Sequence, residues 1–159
     1  MPTAIAEPVI RRTRSAGAAS GPSFALEAAL LWDYENMPLG KVFKEDALAR
    51  LLQKCRALNL RLVESRLYAD SRKLTLAARH RPGLEQYGVT LIDCPTDDKK
   101  EAVDKKIICD ALFWALPRAT RSTPCAIVLV SSDGDFAHML SRLQGVGGRC
   151  LGRAKASRP

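Results

Sequence analysis

Apolar residues in this chain fall into short continuous runs separated by stretches where they recur every three or four positions. The first run, Ala28–Trp32, is too short and too continuous for anything but a buried strand. Phe43, Ala47, Leu51, Cys55 and Leu58 then follow at helical spacing. Leu60–Tyr68 reads as a second strand, interrupted by Glu64 and Arg66. Residues 72–87 form a helical stretch broken at Pro82-Gly83, where Pro82 can open a second short helix. Gly88 ends it, and Val89–Ile92 is the third strand.

The next helix carries its own punctuation. Asp98 and Glu101 form a capping-box-like start, Pro117 is a stop signal, and Val103, Ile107, Ala111 and Trp114 make its buried face. Ala126–Val130 is the clearest strand. Phe136, Met139, Leu140 and Leu143 mark another helix, with Gly145 at the expected C′ position. A weak glycine-rich strand at Gly148–Leu151 closes the pattern. Such alternation predicts an α/β fold, a three-layer sandwich with a mainly parallel sheet. Ligands on such sheets bind beyond the carboxyl ends of the strands.

Composition narrows the chemistry. With 159 residues and 47% apolar content, the chain is long enough for one domain with a real core. No apolar run approaches the roughly 20 residues of a membrane span. Residues 1–23 are rich in Ala, Ser, Gly and Pro, and set Arg11, Arg12 and Arg14 against Glu7 alone. They read as a disordered basic leader or a targeting segment. The expected address is cytoplasmic, or a mitochondrion or plastid if the leader is a transit peptide. Residues 24–159 form the expected domain.

The net charge of +8 lies mostly outside that leader and favours a polyanionic partner. Five scattered cysteines without a CxxC pair argue against a disulfide framework and a structural zinc site. Cys109 and Cys125, in apolar surroundings, read as small core residues. With only His80 and His138 present, a metal site here has to be built from carboxylates, which suits Mg²⁺ or Mn²⁺.

Acidic residues cluster where the strand-end rule points. The first strand runs into Asp33-Tyr34-Glu35-Asn36, and the clearest one into Ser131-Ser132-Asp133-Gly134-Asp135. Asp133 or Asp135 could instead cap the following helix. Asp33 is harder to explain that way, because Pro38, Leu39 and Gly40 intervene before the next helix. Side by side, such clusters would repel by roughly 3 kcal/mol per pair at ~5 Å, unless a cation or a raised pKa relieves them. Asp104, at the edge of the apolar helix face, is the candidate fourth carboxylate; Lys100 and Lys105 could equally balance it in solvent. Asp110 shares the buried face and must be hydrogen-bonded or ion-paired. Lys99, Lys100, Lys105 and Lys106 could meet a phosphate backbone or form a solvated helix face. Tyr34 could stack on a base or sit partly buried.

At these residues a family resemblance emerges. Asp33-Tyr34-Glu35-Asn36 resembles the D-x-x-N opening of NYN domains, a branch of the PIN-like nuclease superfamily. Lys100–Asp104, with Asp110 six residues on, resembles their K-x-x-x-D helix motif. Ser131–Phe136 resembles their S-G-D-x-D-F motif, with Ser132 in place of the glycine. The match spans about residues 28–152 with all three motifs in order. The resemblance implies a five-stranded sheet in the order 3-2-1-4-5 and Asp33, Asp104, Asp133 and Asp135 as catalytic, metal-binding carboxylates. It also implies Asn36 and Ser131 as supporting residues and hydrolysis of RNA phosphodiesters with Mg²⁺ or Mn²⁺. Such domains usually add a final helix beyond the point that Pro159 reaches.

Two rival readings remain open. One is a PIN-like module that grips RNA without cutting it, although pure binding would favour fewer negative charges. The other is a different acidic α/β phosphotransferase. Haloacid-dehalogenase-like domains want a D-x-D pair after the first strand and Toprim-like domains a lone glutamate, and neither fits as well. The expected partner is RNA, single-stranded or structured, with no membrane; the oligomeric state stays open, a homodimer included.

Overall fold

The computed structural model describes residues 26–38, 45–73, 81–95, 101–145 and 149–151. Strands and helices alternate: β1 (Leu26–Asp33), α1 (Glu45–Ala57), β2 (Leu60–Ala69), α2 (Arg81–Gln86), β3 (Thr90–Asp93), α3 (Ala102–Thr120), β4 (Cys125–Val130), α4 (Phe136–Gly145) and β5 (Arg149–Leu151). Every strand pairing is parallel. Four strands in the order β3-β2-β1-β4 make the body of the sheet. The fifth, expected as a weak strand at Gly148–Leu151 within a five-stranded sheet, is a three-residue stub on the outer edge of β4. Its glycine-rich sequence carries little to anchor a longer edge strand.

β1 lies at the centre, and its alternating side chains explain both cores. Ala29 and Leu31 face α3 and α4, packing with Ile127, Leu129, Ile107, Trp114, Phe136 and Leu143. Leu30 and Trp32 face the other side, with Leu48 of α1, Leu84 of α2, Leu67, Ala69 and Val130. A strand covered on both faces has no polar side, which is why Ala28–Trp32 is an unbroken apolar run. Asp33 continues the parity of Ala29 and Leu31. It therefore points toward the α3 side while fully buried.

Several boundaries differ from the sequence pattern. α3 starts at Ala102, and Glu101 makes no side-chain cap, because its carboxylate pairs with Lys105 at 2.8 Å. The expected Asp98 cap lies outside the described residues. At the other end α3 runs through Pro117 to Thr120. Proline removes one hydrogen bond, but Arg118 secures the turn that follows. Its guanidinium stacks 3.2 Å above the Trp114 ring and donates to the Trp114 carbonyl at 3.0 Å. The helix ends where Ser122 turns left-handed at φ 53°.

Residues 71–73 form a turn after β2, although the helical stretch was expected from residue 72, and 74–80 lie outside the described residues. Gly88 supports the reversal into β3 with φ 69°, a conformation open to glycine without strain. Gly145 is the last residue of α4 rather than the position after it. Cys125 is buried as expected, but Cys109 is exposed. Two residues past the buried Ile107, it has rotated about 200° round the helix. Among the described residues no helix is long and apolar enough to cross a membrane.

Candidate functional site: an acidic edge at the strand ends

The carboxyl ends of β1 and β4 lie side by side, Trp32 pairing with Val130. Beyond them the chain forms two linked turns. Asp33 Oδ1 accepts the Asn36 backbone N–H at 3.2 Å, and its Oδ2 accepts Asn36 Nδ2 and Ser131 Oγ, each at 2.7 Å. Ser131 is buried, and its hydroxyl also accepts the Asp133 N–H at 3.0 Å, so one oxygen couples two acidic loops. Ser132 adds a second tie, donating to the Asn36 carbonyl at 3.0 Å. Trp32 Nε1 closes the first loop by donating to the Met37 carbonyl at 2.9 Å. Ser132, standing where the NYN motif has glycine, is thus accommodated by a hydrogen bond.

Asp133 accepts the Asp135 N–H at 2.8 Å just before α4 begins. Of the two candidate capping residues, Asp133 engages this amide with its side chain. Asp135 is exposed. Asp104 sits in the first turn of α3, over the same edge. Its carboxyl is pushed up to about 6, first by burial and then by the charges of Asp33, Asp133, Asp135 and Glu101. A carboxylate in a first helical turn is normally favoured by about 0.3–1 kcal/mol. Here burial and the neighbouring acids outweigh that help.

The other sequence candidates lie further off. Asp110, two turns along α3, accepts Tyr68 Oη at 2.6 Å and pairs with Arg66 Nη1 at 2.6 Å. Arg66 also pairs with Glu64. Burial first, and the bond to Asp110 second, push the Tyr68 phenol well above its usual range, so it stays a donor. Lys105 is taken by Glu101, and Lys106 Nζ donates to the Asp93 carbonyl at 2.6 Å. Lys99 and Lys100 lie outside the described residues. Tyr34 is half-buried against the α1-side core.

Sequence reasoning missed Asp70. It follows directly on β2, beside the strand end that carries Asp33, and it is almost fully buried. Its carboxylate takes Arg72 through Nε at 3.0 Å and Nη2 at 2.9 Å, with Lys73 at 3.7 Å. The signal was available: an acid directly after an apolar strand, followed at once by Ser71-Arg72-Lys73.

Two cavities, of about 520 and 610 Å³, open elsewhere. The first lies between α1 and β2, and the second beside Arg66, Thr90, Lys106 and Asp110. Neither is lined by Asp33, Asp104, Asp133 or Asp135.

An all-oxygen donor set of clustered carboxylates matches a hard divalent cation in charge and softness. The elevated Asp104 carboxyl registers the negative charge such a cation would relieve. Among the described residues, no three His, Cys, Asp or Glu side chains converge at metal-ligand spacing. The residues therefore fit the ion in kind, and binding would have to draw them together.

Fold and acidic edge together define a parallel α/β domain with a cluster of polar residues beyond the carboxyl ends of its central strands. The sequence model of the NYN domain matches residues 27–158, and the chain belongs to the NYN domain family. A comparison with the curated proteins gives no match. Among solved structures, the fold is similar to a protein of unknown function from Vibrio parahaemolyticus. That similarity has a TM-score of 0.57 and 18% identity over 79% of this chain and 78% of that one.

Proposed function

We propose that this NYN domain is a metal-dependent ribonuclease whose Asp33, Asp104, Asp133 and Asp135 hold Mg²⁺ or Mn²⁺ and present it to an RNA phosphodiester. The observation that carries the reading is the placing of acids at one edge of a basic chain: Ser131 joins Asp33 at the end of β1 to the loop of Asp133 and Asp135 after β4, with Asp104 in the first turn of α3. A bound divalent ion supplies Lewis acidity and lowers the pKa of water for an in-line displacement. The chain's own residues hold the edge ready for it. Ser131 and Asn36 fix the Asp33 carboxylate, and Asp133 is oriented by the backbone of its own turn.

The test is incubation of labelled single-stranded and structured RNA with Mg²⁺, Mn²⁺ or EDTA. Cleavage with either metal and none in EDTA supports the reading. A second reading, an RNA-binding module without cleavage, draws on one observation: both oxygens of Asp33 are already occupied by Asn36 and Ser131. RNA bound but left intact across both metals would favour it.

A further inference from the structure

We propose that the turn after β2, carrying Arg72 and Lys73, forms with Lys106 of α3 a phosphate-binding track that grips single-stranded RNA beside the acidic edge. This inference rests on the ribonuclease reading and names where that substrate runs. Of the lysines expected to meet phosphate it retains Lys106, and it adds Arg72 and Lys73.

Position comes first. β2 is the direct neighbour of β1, with Tyr68 paired to Asp33 and the Tyr34 N–H donating to the Tyr68 carbonyl at 3.2 Å. The turn begins two residues beyond Tyr68, so it borders the acidic edge about one strand spacing, ~5 Å, to the side. Lys106 extends the same line to the end of β3, where its Nζ reaches the Asp93 carbonyl.

Construction is the second argument. The turn is held by its backbone: Arg72 N–H donates to Asp70 Oδ1 at 3.0 Å, Lys73 N–H to the Asp70 carbonyl at 3.0 Å, and Ser71 N–H to Asp93 Oδ1 at 2.8 Å. Burial separates the charges. The Asp70 side chain is 0% exposed, whereas those of Arg72 and Lys73 are 54% and 61% exposed. A polyanion approaching this turn meets the exposed parts of both cations, while the carboxylate beneath holds one edge of the guanidinium through Nε and Nη2. A guanidinium fixed in this way loses less freedom when it meets a phosphate.

An acidic site that cleaves RNA also needs such a neighbour. Four clustered aspartates repel the backbone they act on, and fixed cations on the adjoining strand ends offset that repulsion along the strand's path.

Lys73→Gln and Lys106→Gln are the decisive variants, because each leaves the Arg72–Asp70 pair intact. Arg142→Gln, on the last turn of α4 at the far end of the sheet, controls for lost charge alone. KM and kcat are measured with Mn²⁺ on a labelled oligouridine. Affinity is measured by fluorescence anisotropy against salt in the Asp104→Asn background with Mg²⁺. We expect Lys73→Gln and Lys106→Gln each to raise KM and Kd about threefold to tenfold with kcat little changed. Each should also flatten the slope of log K against log salt by roughly 0.7, one phosphate contact on a single strand. Should RNA be bound or cut by the parent while both variants match Arg142→Gln in KM, Kd and slope, the track is wrong and the ribonuclease reading stands. If the parent neither binds nor cuts RNA, both fall together. If it binds without cutting, Kd and slope still decide the track.

Discussion

Asp104 and Asp110 stand six residues apart on the same helix, and both are partly buried. Asp110 meets a guanidinium and a phenol, each at 2.6 Å, so its charge is balanced where it lies. Asp104 meets burial and three other aspartates, and its carboxyl rises to about 6. One helix thus carries a carboxylate that stabilises the fold and another that opposes it. A position that natural folding leaves unrelieved is where a ligand's binding energy can be spent.

The largest expected difference is in activity. Asp104→Asn should lower metal-dependent RNA cleavage at least roughly 100-fold, the upper range for losing a group that supports a metal. Asp110→Asn should leave kcat within about threefold once the protein is folded. Equal losses in the two variants would erase the distinction.

Metal-induced stabilisation should separate them next. For a ligand present at 100 times its dissociation constant, the native state gains about 2.7 kcal/mol. Mn²⁺ should therefore raise the melting temperature of the parent and of Asp110→Asn by similar amounts, and that of Asp104→Asn much less. A parent whose melting temperature is indifferent to Mn²⁺ and Mg²⁺ would remove the metal from the argument.

In EDTA the signs should be opposite. Asp110→Asn removes the charge facing Arg66 and should destabilise the protein by about 1–2 kcal/mol. Asp104→Asn keeps the shape and removes a repelled charge. It should stabilise by about 0.5–1 kcal/mol, solvent screening having trimmed the repulsion. Urea titration reads both, and destabilisation by Asp104→Asn would mark Asp104 as a structural residue.

The smallest effect is a pH dependence. The Asp104 carboxyl is raised in the folded state, from 3.8 to about 6. Its contribution to stability is therefore fully present below the unfolded value and is lost as pH rises through about 6. In EDTA, the advantage of Asp104→Asn over the parent should open between about pH 4 and 7. A stability difference that stays flat or narrows over that range contradicts the elevated carboxyl.

Much of this molecule was decided by local sequence. The run Ala28–Trp32 and the four-residue periodicity of Val103, Ile107 and Ala111 specify a central buried strand and a helix face, because burial on both sides of a sheet leaves no room for polar alternation. Asp33 was legible as a candidate because it follows an apolar run directly, and Asp133 and Asp135 because they stand in the polar turn just after another. Tertiary structure decided the rest. Pro117 ends α3 on any local rule, yet the helix continues: Arg118 stacks on Trp114 one turn back and also pairs at 3.5 Å with Glu27 of β1, a partner only the folded sheet supplies. Asp133 accepts the Asp135 N–H within a loop that Ser131 ties across the sheet to Asp33. The roles of Asp104, Asp110 and Asp70 depend on which charges come within a few ångströms across three elements. Sequence spacing fixes a residue's face, but its electrostatic neighbours come from strands that only the folded sheet brings together.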